Sequence, residues 1–193
     1  LISFLLAIQF LSGCDLGSTS MEKSDEVTVS DVELAGNPFR QDWDTPYGVP
    51  PFSDIENSDY LPAIKKAILE MREEIQTIVS NSEEPTFSNT IVALEIAGES
   101  LNKVSRTFGN ITGTDTDGEL RNLETEIYPM LTRESDAISL NEVLYERVKA
   151  VYDSKESLGL NEQDSRLLDL THRSFIRSGA AFSPEIKSKI ASI

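Results

Sequence analysis

The side chains that most often carry enzyme chemistry are scarce in this sequence, which has one histidine, His172, and one cysteine, Cys14. A closed zinc site needs about four nitrogen or sulfur ligands, so these two residues cannot form one. A single cysteine also cannot form an internal disulfide. His172 lies in a segment with helical periodicity, where a lone histidine is more often a surface or capped residue than a ligand. These 193 residues therefore predict no complete histidine-ligated metal centre.

Two pairs of adjacent glutamates, Glu73–Glu74 and Glu83–Glu84, are further candidates for acid–base chemistry. Neighbouring residues on a helix point in different directions and do not share a site, so we interpret both pairs as facing solvent. The sequence contains no GxSxG, no HExxH and no glycine-rich phosphate loop. We therefore predict no catalytic and no metal-binding residue within this chain.

The charge balance excludes one large class of partners. The chain has 33 acidic and 17 basic residues, which gives a formal net charge of −16. Binding to nucleic acid depends on clustered lysine and arginine that neutralise phosphates. We therefore expect no nucleic-acid partner.

The first 14 residues, LISFLLAIQFLSGC, resemble the end of a bacterial lipoprotein signal. An uncharged apolar run of this length is too short to span a bilayer but fits the hydrophobic region of a secretory signal. Small residues directly precede Cys14, the predicted lipidation site. The alternative is a buried helix with a chance cysteine. Because a signal needs an initiator methionine and a basic region, we expect the natural sequence to begin before Leu1.

Residues 15–36 contain six acidic residues and one lysine, with few large apolar side chains. Such a composition does not favour a packed structure, so we predict an acidic, flexible tether. A short strand at Val27-Thr28-Val29 is a weaker alternative.

From Asn37 the sequence becomes rich in proline and in large apolar residues, NPFRQDWDTPYGVPPF. The prolines forbid a continuous helix, while the aromatic side chains provide enough apolar surface to hold an extended segment against the rest of the protein. We therefore predict an ordered arm, with a disordered proline-rich ligand as the alternative. The side chains expected to pack are those of Phe39, Trp43, Tyr47, Val49 and Phe52.

Beyond the arm, apolar residues recur at spacings of three and four, which predicts helices throughout. The first predicted helix is capped by Asp59 and runs through residue 81. The second is capped by Thr86 and ends between Asn110 and Gly113.

Three further helices begin at side chains that suit an N-cap, namely those of Asp117, Asn141 and Asn161. We expect Pro129 to bend or interrupt the first of these three helices. The other two are predicted to end near Gly159 and Gly179. A sixth helix starts at Ser183-Pro184-Glu185 and is still running at Ile193, so we expect residues 37–193 to be a helical region cut off within a helix.

Several runs then resemble one enzyme family. WDTPYGVPPF at residues 43–52 and PTFSNTIVALE at residues 85–95 are similar to segments near the start of the M3 family of zinc metallopeptidases. Shorter runs, LN at 140–141, LYERV at 144–148 and SGA at 178–180, continue in the family's order. Within the family the peptidyl-dipeptidase (dipeptidyl carboxypeptidase) branch is the most similar.

This resemblance implies an all-α, multi-helix N-terminal part of a longer peptidase that encloses a deep channel. In the family, one zinc is bound by an HExxH helix and a downstream glutamate, and no residue of this sequence matches those ligands. What the family assigns to this region is part of the channel wall, which admits short peptides.

The resemblance thus implies an exported peptidase that releases C-terminal dipeptides from short peptides, with this chain as its inactive N-terminal fragment. We expect a monomer, lipid-anchored in the bacterial cell envelope, with zinc bound outside the fragment. The alternative is a non-catalytic helical lipoprotein module that binds a partner or peptide.

Overall fold

The computed structural model describes residues 27–182, apart from residues 32, 115 and 116, together with residue 186. All regular structure in this part of the chain is helical, which confirms the predicted all-α class. The predicted signal, residues 15–26 of the tether and the start signal of the sixth helix fall outside it. Within the same described part, no helix combines the length and the apolar character needed to cross a membrane.

The first helix, α1, spans Asn57–Val79, and its predicted cap was three residues too late. Glu56 is the N-cap, and Asp59 lies in the first turn, where its Oδ2 accepts a hydrogen bond of 2.8 Å from the backbone nitrogen of Glu56. A carboxylate in the first helical turn satisfies a free backbone donor in this way. Asp59 therefore marks the helix start correctly but acts from inside the helix.

The second predicted helix is broken. Thr86 is its cap, as predicted, and accepts a hydrogen bond of 3.0 Å from Asn89. A π-helical turn at Phe87–Val92 and a short helix, α2 (Ala93–Ile96), follow, and α3 (Glu99–Thr114) begins separately. Thus α3 continues beyond the expected end near Gly113.

The break occurs at Gly98, where φ is +78°. A side chain is disfavoured in this left-handed conformation. A Cβ at Gly98 would also lie only 3.2 Å from the side chain of Met71. The backbone nitrogen of Gly98 donates a hydrogen bond of 2.7 Å to Oε2 of Glu74 on α1. The turn is therefore fixed from another helix, which local periodicity does not show.

The three remaining helices begin where the sequence predicts. They are α4 (Gly118–Ser139), α5 (Glu142–Asp153) and α6 (Glu162–Ser178), each preceded by an N-cap whose side chain accepts a backbone hydrogen bond. Helix α4 runs on through Pro129, so of the two predicted effects the interruption does not occur, and the bend stays a prediction. Helix α5 ends before the expected Gly159, and a short 3₁₀ turn at Lys155–Ser157 follows it.

Helix α1 is shared by two apolar clusters. The N-terminal cluster joins α1 to α3 and α4, and the C-terminal cluster joins α1 to the π-helical turn, α5 and α6. The buried residues of the N-terminal cluster are Tyr60, Ala63, Ile64, Ile68, Val104, Phe108, Leu120, Ile127 and Met130. Those of the C-terminal cluster are Met71, Ile75, Ile78, Ile91, Leu144, Tyr145, Val148, Val151, Leu168, Phe175 and Ala180.

Packing against the N-terminal cluster begins before residue 37. Leu34 is buried, and Val27 packs on the cluster, although both belong to the segment predicted as a tether. Residues 27–30 form neither helix nor strand, so the alternative strand at residues 27–29 is not present. The tether itself stays a prediction for the residues before Val27.

The first half of the arm, residues 37–43, packs as predicted. Asn37 is buried, and its side chain donates a hydrogen bond of 2.8 Å to the backbone oxygen of Asp59 at the start of α1. The ring of Phe39 lies 5.8 Å from that of Trp43 and 5.5 Å from that of Tyr60. The inner half is therefore held to α1 by one buried amide and an aromatic stack.

The second half of the arm, residues 45–52, does not pack as expected. Tyr47 is fully exposed, Val49 is 51% exposed and Phe52 is 42% exposed. This half contains a 3₁₀ turn at Pro46–Gly48 and two prolines between Val49 and Phe52, and none of its apolar residues belongs to either cluster. The arm thus has an inner, packed half and an outer, exposed half.

Candidate functional site

The predicted lipidation site and the single histidine have different outcomes. Cys14 lies outside the described residues, so its role stays a prediction. His172 lies on α6, where its ring stacks on Tyr152 with 3.9 Å between centroids and 12° between planes. Burial lowers the pKa of His172 below its usual value. The His172 ring is therefore part of an aromatic stack between α5 and α6.

Within the described residues, no group of three or more histidine, cysteine, aspartate or glutamate side chains is arranged to hold a metal ion. Zinc implied by the family resemblance therefore does not fit this part of the chain. The glutamate pairs likewise form no shared site, and one of their members, Glu74, instead accepts the hydrogen bond from Gly98.

A cavity of about 480 Å³ lies between α1 and α4. Its apolar wall comes from methionine and isoleucine side chains on both helices, and Val27 borders it. Its polar groups include Arg72 and Glu134. The lining residues are Val27, Met71, Arg72, Ile75, Gln76, Met130, Arg133, Glu134, Ala137, Ile138 and Asn141.

Arg72 and Glu134 form a two-point ion pair across this cleft. Nε of Arg72 donates to Oε2 of Glu134 at 2.8 Å, and Nη2 donates to Oε1 at 2.5 Å. The hydrogen bonds that Arg72 donates to Glu134 raise the pKa of the Arg72 guanidinium. The side chain of Glu134 is only 10% exposed, so the pair fixes a largely buried charged contact between α1 and α4. Paired geometry of this kind is strongly directional.

The lining of the cleft is suited to binding. No lining residue is a serine, cysteine or histidine, and the carboxylate of Glu134 is already engaged with Arg72. An apolar cavity with a few fixed polar groups suits the binding of a small ligand or of a side chain from a peptide. The cleft can therefore hold and orient a molecule.

A buried cation, Arg147 on α5, holds the loop between α1 and the π-helical turn. Its Nη1 donates to the backbone oxygens of Asn81 at 2.7 Å and of Glu83 at 3.3 Å, and its Nη2 donates to Oδ1 of Asn89 at 3.3 Å. Because these acceptors belong to the loop and to the Thr86 cap, Arg147 has a structural role.

Sequence reasoning missed both arginines. Arg72 lies on α1, and its partner Glu134 is 62 residues away on α4. Arg147 contacts a loop more than 60 residues earlier. Periodicity places a residue on a helix face and does not indicate which helix that face meets.

Comparison with known proteins relates this chain to peptidases. It is 37% identical over 154 residues to dipeptidyl carboxypeptidase of Escherichia coli (strain K12), a match covering 80% of this chain and 23% of the relative. With dipeptidyl carboxypeptidase of Salmonella typhimurium the identity is 34% over 157 residues, 81% of this chain and 23% of the relative. Oligopeptidase A of Escherichia coli (strain K12) is 25% identical over 149 residues, 77% of this chain and 22% of the relative.

The chain therefore spans less than a quarter of the length of the curated relatives that it matches. No protein-family model matches it. The relationship to these peptidases is nevertheless clear from several relatives that match about four-fifths of the chain.

Proposed function

We propose that this chain is the N-terminal helical portion of an exported zinc metallopeptidase of the M3 family, of the peptidyl-dipeptidase type. The observation that carries the proposal is the 37% identity to a dipeptidyl carboxypeptidase over 80% of this chain. The longer protein would hydrolyse short peptides and release dipeptides from their C-termini. The 193-residue chain would be inactive by itself.

In this proposal helices α1 to α6 form part of the wall of the substrate channel. A wall has to be rigid, and α1 supplies rigidity because it is shared by both apolar clusters. The Arg72–Glu134 pair and Arg147 add fixed polar contacts between distant parts of the chain. The wall would act by restricting which peptides enter, and the longer protein is expected to be monomeric.

The zinc of the longer protein would be held by residues outside this chain. The single histidine is stacked on Tyr152, and the described residues bring no set of ligands together. No step of hydrolysis is assigned to any residue of this chain.

Export and anchoring rest on the sequence around Cys14. Lipidation of Cys14 would leave the acidic residues after it as a spacer between the membrane and the helices, and would place the protein in the bacterial cell envelope. Growth with a fatty-acid analogue should label the wild-type protein, while the Cys14→Ser variant should lose the label. Equal labelling of both forms would contradict the anchor.

The reading frame provides the direct test of the proposed family. The codons after Ile193 should encode an HExxH motif within a few hundred residues. A stop codon soon after Ile193 would contradict the proposal.

A non-catalytic helical lipoprotein that binds a partner or peptide is the second candidate. The observation that favours it is the cleft of about 480 Å³, which has the mixed apolar and polar lining of a binding surface. A chain that ends near Ile193, and that binds short peptides with a loss of affinity in the Glu134→Gln variant, would support this candidate over the first.

A further inference from the structure

The outer half of the arm presents three large apolar residues to solvent. Tyr47, Val49 and Phe52 lie within six residues of one another, and all three side chains are at least 42% exposed. Single exposed apolar residues are common, but three on one short segment form a patch. We call Tyr47, Val49 and Phe52 the outer-arm patch.

The turn that carries this patch is held by its own hydrogen bonds. Oγ1 of Thr45 donates to the backbone oxygen of Val49 at 2.6 Å, and the backbone nitrogen of Gly48 donates to the oxygen of Thr45 at 3.0 Å. Tyr47 adopts φ +61° and ψ +17°, and among the described residues it alone has a positive φ without being glycine. A large side chain is disfavoured in this conformation. The turn therefore projects the Tyr47 ring into solvent although the backbone conformation at Tyr47 is unfavourable for a large side chain.

We propose that the outer-arm patch docks onto the part of the longer protein that corresponds to the unmatched portion of its relatives. This inference rests on the proposed function. The matched portion makes up 23% of the dipeptidyl carboxypeptidases, so most of each relative has no counterpart in this chain. The partner surface is an apolar pocket that receives an aromatic ring.

The size of the patch favours a covalently connected partner over a second copy of this chain. An aromatic side chain buries about 150–250 Å², and Val49 and Phe52 are already about half covered, so the patch offers much less than the roughly 800 Å² that each partner buries in a stable complex. A segment of the same polypeptide meets the patch at high effective concentration, so a smaller contact is sufficient. The prolines at positions 46, 50 and 51 also remove backbone donors that pairing between two arms would need.

Hydroxyl-radical footprinting of the 193-residue chain and of the product of the complete reading frame tests this proposal. Oxidation of Tyr47 should be at least about fivefold slower in the longer protein. Phe39, in the inner half of the same arm, should change by less than about twofold and serves as the control. Equal oxidation of Tyr47 in both proteins would overturn the docking. Protection of Tyr47 that increases with the concentration of the 193-residue chain would show a second copy to be the partner, which also overturns it.

The Tyr47→Asn variant provides a second readout. Asparagine tolerates a positive φ, so the turn is kept while the aromatic surface is removed. The Tm of the longer protein should fall by at least about 2 °C, and that of the 193-residue chain should stay the same or rise. Equal shifts in the two proteins would contradict docking.

Peptidase activity, measured on the same longer protein, separates this inference from the proposed function. The longer protein could release dipeptides while its Tyr47 is oxidised as fast as in the 193-residue chain. That result would overturn the docking and leave the proposed function standing. Protection of Tyr47 in a longer protein without peptidase activity would support the docking and overturn the proposed function.

Discussion

The two halves of the arm each contain two aromatic residues but have different surroundings. The inner half places Phe39 between Trp43 and Tyr60, and the buried side chain of Asn37 ties it to the start of α1. The outer half carries Tyr47, which is fully exposed in a turn that only its own residues stabilise. Aromatic content alone therefore does not determine packing, which also needs a partner surface within reach.

The inner half owes its partners to the N-terminal cluster. Tyr60 contacts Phe39 on one side and Phe108 on the other, with ring centroids 5.5 Å and 5.1 Å apart. Lys103 adds a cation–π contact at 4.2 Å from the Trp43 ring and a hydrogen bond of 2.8 Å to the oxygen of Gln41. The arm is thus joined to α1 and α3 by a continuous set of contacts, and this set stops after Trp43.

Of the changes considered, loss of the Tyr60 ring should lower the free energy of unfolding the most. Tyr60 is 2% exposed, and Tyr60→Ala should lower the free energy of unfolding by about 3–5 kcal/mol because it removes a large buried ring. Urea unfolding of the 193-residue chain, followed by the fluorescence of its single tryptophan, Trp43, measures the change. A loss below about 1 kcal/mol would mean that the aromatic stack does not hold the arm.

The same substitution in each half of the arm should give different results. Phe39→Ala should cost about 2 kcal/mol, since the ring is partly buried between two others. Phe52→Ala is the matched control and should change the stability of the 193-residue chain by less than about 0.5 kcal/mol. Equal losses in the two variants, measured by urea unfolding, would remove the distinction between the halves.

Removal of the Asn37 amide should have a smaller effect. Asn37→Ala removes the hydrogen bond to the oxygen of Asp59 and the one accepted from the backbone nitrogen of Phe39. We expect a loss of about 1–2 kcal/mol in the free energy of unfolding. Circular dichroism during urea unfolding checks this value, and an unchanged midpoint would show that the aromatic contacts alone position the inner half.

The smallest change in the free energy of unfolding should come from the titration of His172. Burial lowers the pKa of His172 in the folded protein, so the unfolded chain binds the proton more readily as the pH falls. Stability from this group is complete above its ordinary pKa of 6.5 and is lost as the pH decreases below it. Asp153, Lys149 and Asp169 lie near enough to affect the ring.

Urea unfolding measured at pH 7.5 and at pH 5.5 tests whether stability decreases as the pH falls. The decrease in stability should be smaller in His172→Gln than in the wild type. The difference between Phe39→Ala and Phe52→Ala should be the same at both pH values, because His172 stacks on residues of the C-terminal cluster and distant sites act additively. A larger decrease in stability in the His172→Gln variant than in the wild type would contradict the attribution of this pH dependence to His172.

Helix starts were predictable where the signal is local. Asp117, Asn141 and Asn161 cap the helices that follow them, because each side chain bonds to a backbone nitrogen only three residues away. Asp59 was placed at the cap but lies in the first turn of α1. A carboxylate at either position gives a similar sequence pattern, so the sequence did not distinguish them.

Features that depend on distant residues were not predictable. The break at Gly98 is fixed by Glu74 and Met71 on α1, and the cleft is crossed by the Arg72–Glu134 pair. The exposure of Tyr47 was not predicted either. An aromatic residue in the sequence indicates that a packing partner is favourable, but the sequence does not show where that partner lies.

Release of C-terminal dipeptides by the product of the complete reading frame is the most direct test of the proposed peptidase. A short peptide with a blocked N-terminus is incubated with the purified protein, and its products are identified by mass spectrometry. We predict stepwise loss of two residues from the C-terminus, which a zinc chelator stops, and no cleavage by the 193-residue chain under the same conditions. Absence of dipeptide release by the longer protein, or metal-dependent cleavage by the 193-residue chain, would contradict the account.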